Sequence, residues 1–139
     1  MFLLDTNVVS ELRKFRRANP TVAAWAIATT PALMHLSVIT LMELDIGVLR
    51  IERRDQSQGA LLRQWLETKV VAQFAHRILP IDTAIARRCA TLHGPDPRPE
   101  RDALIAATAL THGLTIVTRN VVDFEPMGVA LLNPWLERA

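Results

Sequence analysis

The sequence predicts an α/β fold, with a short, mainly parallel central sheet flanked by helices on both faces. Two observations carry this. Brief apolar runs such as Phe2-Leu3-Leu4 and Leu114–Thr118 alternate with longer stretches where apolar residues recur every three or four positions. The junctions between them hold residues that start or stop helices, among them Asn19-Pro20, Asp82 and Gly113. Strands alternating with helices imply crossovers over a parallel sheet. In such sheets ligands gather beyond the carboxyl ends of the strands.

The elements follow in order. Phe2-Leu3-Leu4 reads as a strand ending in Asp5-Thr6-Asn7, and Val8-Val9-x-x-Leu12 begins a helix. Asn19 caps a second helix with Pro20 at its first position, which carries Val22, Trp25 and Ala26 inward and finishes near Thr30-Pro31. Leu33 to Leu36 reads as the second strand. From Ser37 or Val38, the spacing of Ile39, Met42, Ile46 and Leu49 predicts an amphipathic helix. Gln58 to Phe74 predicts another, with Leu61, Leu62, Trp65, Leu66 and Val70 on its apolar stripe.

Ile78-Leu79-Pro80-Ile81 is a short extended stretch. Asp82 caps a helix holding Ile85, Ala86, Cys89 and Leu92, which stops at Gly94-Pro95. After the loop Asp96-Pro97-Arg98-Pro99 comes a helix through Leu104, Ile105, Thr108 and Ala109, closed by His112-Gly113 as a glycine C-cap. Leu114 to Thr118 and a run around Val129 to Leu132 supply the last two strands.

The chain has 139 residues, half hydrophobic and 22% charged, with no repeat or composition shift, so one compact domain over residues 1–139 is expected. Asp5 interrupts the apolar start, and no later run approaches the ~20 apolar residues of a membrane span. Cys89 is the only cysteine, which excludes an intramolecular disulfide and a zinc–thiolate cluster. These features point to the cytoplasm and away from membranes. The net charge is only +2, but Arg13-Lys14-Phe15-Arg16-Arg17 gathers four cations, and Arg50, Arg53 and Arg54 gather near the end of a later helix. Such groups attract phosphate, or equally stand as solvated helix ends.

Four acids stand near the carboxyl ends of the expected strands. Asp5 follows the first strand directly, and Asp123 lies in the loop after Leu114–Thr118. Glu43 sits one or two turns inside its helix, and Asp102 lies in the first turn of the helix beginning near Pro99–Arg101. Close carboxylates repel one another unless protonated or neutralised, and a hard divalent cation such as Mg2+ or Mn2+ removes that conflict. An all-carboxylate site suits phosphodiester chemistry better than zinc hydrolysis. Each acid also has an ordinary role: Asp5 and Asp102 as helix-terminus residues, Thr40-x-x-Glu43 as a capping box, Asp123 as a turn residue.

Phe2-Leu3-Leu4-Asp5-Thr6-Asn7-Val8-Val9-Ser10-Glu11-Leu12 resembles the opening of PIN-domain toxins of the VapC type, particularly the FitB-like branch. Leu36–Leu44, Asp102–Ala109, Leu114–Phe124 and the ending Gly128-Val129-x-x-Leu132-Asn133-Pro134-Trp135 match in the same order. The resemblance implies a PIN-like fold and a magnesium-dependent endoribonuclease, the toxin of a type II toxin–antitoxin pair. Asp5, Glu43 and Asp102 then match the acidic metal-site positions. The family's last acid falls at the Asn120 or the Asp123 position, and Asp123, the carboxylate of the two, is assigned to the cluster with Asn120 as a neutral polar neighbour. Thr6, Asn7 and Thr118 match the polar positions that orient carboxylates and water. Also implied are an RNA substrate, with transfer RNA as one option, a homodimer, a cognate antitoxin, and DNA contact only through that antitoxin. The alternative is a catalytically inactive PIN-like module that binds protein.

The remaining residues add little. His35, His76, His93 and His112 show no i,i+4 metal spacing, and no Walker, Rossmann or nucleophile-elbow motif occurs. Trp25, Trp65 and Trp135 suit core packing or an interface.

Overall fold

The computed structural model of the chain describes residues 1–136. Strands β1 (Phe2–Leu4), β2 (Met34–Ser37), β3 (Ile78–Leu79), β4 (Thr115–Val117) and β5 (Leu131–Leu132) form an all-parallel sheet in the order β3-β2-β1-β4-β5. The first strand is therefore central. The chain winds outward to β2 and β3, then returns to the other side of β1 for β4 and β5. This reversal puts a switch point between β1 and β4, where the loops leaving neighbouring strands diverge and open a crevice.

Helices α1 (Thr6–Arg13) and α2 (Pro20–Ala28) cross from β1 to β2. Helices α3 (Val38–Arg54) and α4 (Gln56–Trp65) lead to β3, and α5 (Thr83–Leu92) and α6 (Glu100–His112) lead to β4. The short α7 (Val121–Phe124) joins β4 to β5. Alternation along each strand divides the interior into two cores. Leu3 and Ile116 pack with Ile85, Ile105 and Ala106 on one face, and Leu4 and Val117 with Val8, Val48 and Leu66 on the other. Asn19 and Asp82 accept backbone N–H bonds at the starts of α2 and α5, and Gly113 ends α6 at φ 67°, as the sequence predicts.

The structure shifts several boundaries. The second strand begins at Met34 and takes in Ser37. In α3 the buried stripe is Thr40, Leu44 and Val48, whereas Met42 and Leu49 are exposed at 40% and 43%. The first three turns of this helix are apolar on most sides, so spacing alone did not define the inward face. The expected helix over Gln58–Phe74 is α4 followed by a π-helical turn, Leu66–Val71. The turn buries Leu66 and Val70, while Leu61 stays exposed. No helix among the described residues is long and apolar enough to cross a membrane.

α3 and α4 pack closely, and Gly59 is the reason they can. A Cβ at Gly59 would stand 2.5 Å from Glu52 Cα and 2.9 Å from its backbone nitrogen. Arg63 ties the pair together by donating to Asp45 Oδ1 at 2.8 Å and Glu52 Oε1 at 3.0 Å. Because the obstacle is backbone, Gly59→Ala must push the helices apart. Chemical denaturation should show a loss of about 1–3 kcal/mol, the usual cost of overpacking, although alanine has the better helix propensity.

Candidate active site at the carboxyl edge of the sheet

Asp5 leaves the central strand at the switch point and is 6% exposed. Its backbone N–H donates to Val117 C=O at 2.9 Å, which carries the β1–β4 ladder up to the site. Its carboxylate collects three donors. Oδ1 accepts the Thr6 backbone N–H at 2.9 Å, while Oδ2 accepts Thr118 Oγ1 at 2.8 Å and Asn7 Nδ2 at 3.2 Å. Asp5 is therefore the cap of α1, and it also stands at the carboxyl edge between β1 and β4.

Thr118 is fully buried one residue beyond β4. Its hydroxyl donates to Asp5 and accepts from Asn7 Nδ2 at 3.2 Å and the Asn120 backbone N–H at 3.0 Å. One donor and two acceptor sites are thus all used. Asn7 Oδ1 in turn accepts the Arg119 backbone N–H at 3.1 Å, fixing the loop after β4 to the start of α1.

Thr6 joins Asp5 to the second acid. Its hydroxyl donates to Glu43 Oε1 at 2.8 Å, while Glu43 Oε2 lies 3.8 Å from Arg101 Nη1. The capping-box alternative for Glu43 does not hold. Ser37 caps α3 through the Ile39 N–H, leaving Thr40 inside the helix with its buried hydroxyl unpartnered. Glu43 therefore has no reciprocal capping role and faces Thr6 and Arg101 instead.

Asp102 sits in the first turn of α6, half-buried. A helix N-terminus favours an ionised carboxylate and should lower its pKa. Its pKa is instead raised, to about 6, first by burial and then by the negative charges of Asp5, Asp123 and Glu43. Asp5 is also raised, mainly by burial; donors from Thr118 and Thr6 oppose this, and the Glu43 charge adds to it. Asp5, Asp123 and Glu43 thus lie within electrostatic reach of Asp102. Asp123 differs from expectation in its setting: it lies in the one-turn helix α7, not in a loop, and is exposed. Asn120 precedes that helix and touches the site through its backbone N–H on Thr118.

Arg101 was not singled out from sequence, although its place beside Asp102 in the first turn of α6 was a usable signal. The Arg119 guanidinium lies 5.3 Å over the Trp135 ring.

Among the described residues, no three acid, imidazole or thiol side chains stand close enough to enclose an ion. The donor set still fits a hard divalent cation that keeps part of its water shell, because magnesium commonly uses only one or two carboxylates. Charge points the same way, since a cation would relieve the repulsion that adds to burial in raising Asp102.

That repulsion has a sign. A carboxyl whose folded pKa lies above its unfolded value stabilises fully below about pH 3.8, and this stability is lost as pH rises through about 6. Asp102→Asn should therefore raise the melting temperature of the metal-free protein at pH 7.5 and leave it unchanged near pH 3.5. An equal effect at both pH values would mean that the charge is not the cause.

The PIN domain family pattern matches residues 2–125. The chain is 39% identical over 142 residues to Toxin FitB of Neisseria gonorrhoeae, covering 97% of this chain and 99% of that protein. It is 34% identical over 140 residues to VapC ribonuclease Y4jK of Sinorhizobium fredii, covering 97% and 98%. A solved structure described as FitAB bound to an IR36 DNA fragment superposes with a TM-score of 0.89 at 34% identity, covering 100% of this chain and 99% of its counterpart. With this parallel sheet and the acids at its carboxyl edge, the chain belongs to the PIN-domain family.

Proposed function

We propose that this chain is a magnesium-dependent endoribonuclease and the toxin of a type II toxin–antitoxin pair. The observation that carries the reading is the hydrogen-bonded acid pair at the switch point, where Thr6 joins Asp5 to Glu43, with Asp102 raised nearby first by burial and then by the charges of Asp5, Asp123 and Glu43. The relatives named as a toxin and a ribonuclease support it across nearly the full chain. A cognate antitoxin as partner is supported by the FitAB complex, and DNA contact is then left to that partner. A homodimer accompanies this reading.

Asp5, Glu43, Asp102 and Asp123 would hold Mg2+, or Mn2+ in its place, one or two of them directly and the others through its retained waters. When bound, the ion supplies positive charge for phosphate oxygens and lowers the pKa of water at neutral pH. The protein's own part is placement. Thr118 and Asn7 pin Oδ2 of Asp5, and the Thr6 N–H pins Oδ1, so the carboxylate cannot rotate. Thr6 fixes one oxygen of Glu43 in the same way. Arg101, at the exposed rim, brings a cation to an otherwise anionic cleft and lessens its repulsion of an RNA phosphate.

The deciding experiment compares RNA cleavage by wild type and Asp5→Asn in Mg2+, with and without chelator. Asn nearly keeps the shape but removes the charge, so cleavage should be lost while circular dichroism shows no gross unfolding. Equal cleavage by both proteins, or cleavage indifferent to chelator, would overturn the mechanism and leave the catalytically inactive binding module as the reading.

Thr118→Val separates positioning from charge, because it preserves volume and all four acids. It leaves Asp5 Oδ2 short of its nearest donor and should weaken Mg2+ activation by about 10–100-fold. Unaltered metal dependence of cleavage would remove Thr118 from the site.

A further inference from the structure

One cation from each basic run of the sequence reaches the same groove. Helices α1 and α3 both start at the carboxyl edge of the sheet, pack against each other, and end in cations. Arg13 from the end of α1 and Arg54 from the end of α3 line the same groove of about 560 Å³, together with the acid Asp55 and the apolar Ile51, Leu62 and Trp65. The Arg13 guanidinium lies over the Trp65 ring at 5.9 Å. Lys14 is held by Glu11 at 3.0 Å. Among the described residues, Arg16, Arg17, Arg50, Arg53 and Arg54 take part in no ion pair.

Phe15 adds a second, independent observation. It adopts φ 58°, a left-handed conformation that is uncommon for bulky residues and costs them energy. Burial does not compensate, since Phe15 is 82% exposed. The tight turn Phe15–Arg17 thus presents an aromatic ring to solvent among four cations. An exposed ring set between arginines is what a single-stranded nucleic acid uses: bases stack on the ring and phosphates pair with the cations.

We propose that this groove and the adjoining Phe15 turn form a second RNA-contacting surface, distinct from the carboxylate site. The choice of RNA as occupant rests on the nuclease reading above. The physical need is plain: four acids repel a polyanion, and a net charge of +2 supplies little long-range attraction. A cationic surface one short helix away offsets that repulsion. α1 has eight residues, a rise of about 12 Å, so a strand held at its end can extend along the helix to Asp5. Contacts to phosphates and ring faces make this surface tolerant of sequence.

The test measures binding of a 12-nucleotide oligouridylate by fluorescence anisotropy in EDTA, where cleavage cannot interfere. Wild type is compared with Arg16→Gln/Arg17→Gln, Arg54→Gln and Phe15→Ala across a range of salt. The arginine variants should bind about tenfold or more weakly, and the slope of log affinity against log salt should shrink by roughly 0.7 per arginine removed. Phe15→Ala should weaken binding about tenfold with the slope unchanged. No binding by wild type, or unaltered affinity and slope in the variants, overturns the proposal. Variants that keep RNA binding but lose the antitoxin also overturn it, and assign the surface to a protein partner. Binding with the expected signatures but no cleavage in Mg2+ would support this surface while overturning the nuclease reading alone.

Discussion

The site depends on one hydrogen bond, from the Thr118 hydroxyl to Asp5 Oδ2 at 2.8 Å. It joins residues at opposite ends of the sequence because β1 and β4 are neighbours in the sheet. Asp5 is buried, and an isolated buried carboxylate is costly to ionise. Three donors make the charge tolerable, two of them from the first turn of α1 and the third from across the sheet. Asn7 then ties the Arg119 backbone to the same turn. The direction of α1, the course of the loop after β4 and the orientation of the first acid are therefore one mechanical unit. Two-layer burial builds the sheet, but this network determines what its carboxyl edge can do.

Stability and chemistry pull against each other here. The fold gains nothing from placing these carboxylates near one another: burial raises Asp5 and Asp102 first, and neighbouring negative charge adds to it. Donors relieve only part of it. Asp5 remains raised despite its three hydrogen bonds, since burial outweighs them. The counterweight lies elsewhere, in two apolar cores and in α6, where buried Ala103, Ala106, Ala107 and Ala109 let the helix approach the sheet closely. That close approach is also what brings Asp102 to the cleft. The same residues that stabilise the fold thus maintain the strain at the site.

Much of this was legible in the sequence. The first strand, the caps Asn19, Asp82 and Gly113, and the parallel α/β class follow from local patterns that the structure repeats. The face of α3 was not legible, because Ile39, Met42, Ile46 and Leu49 compete with Thr40, Leu44 and Val48 for the core. Only the neighbouring elements decide such a contest. The π-helical turn at Leu66–Val71 breaks the 3.6-residue period from which a single helix was expected. At the site, the acids were legible as residue types after strands, but their mutual approach was not. The Thr6–Glu43 bond and the Arg101–Glu43 contact depend on how α1, α3 and α6 pack, which spacing does not encode.

The basic runs show the same limit from the other side. Read locally, Arg13–Arg17 and Arg50–Arg54 are cations at helix ends, where the dipole alone would favour them. Their placement is a consequence of topology. In a parallel sheet every crossover helix begins near the carboxyl edge, so α1 and α3 both start at the acids and carry their basic ends away from them, with Arg13 and Arg54 lining one groove. Acidic residues placed just after strands and basic residues placed at the ends of the following helices are thereby sorted into two patches. The separation is set by helix length, about 12 Å along α1. A molecule with a net charge of only +2 thus acquires a strong internal polarity, with opposite charges at the two ends of one pair of helices.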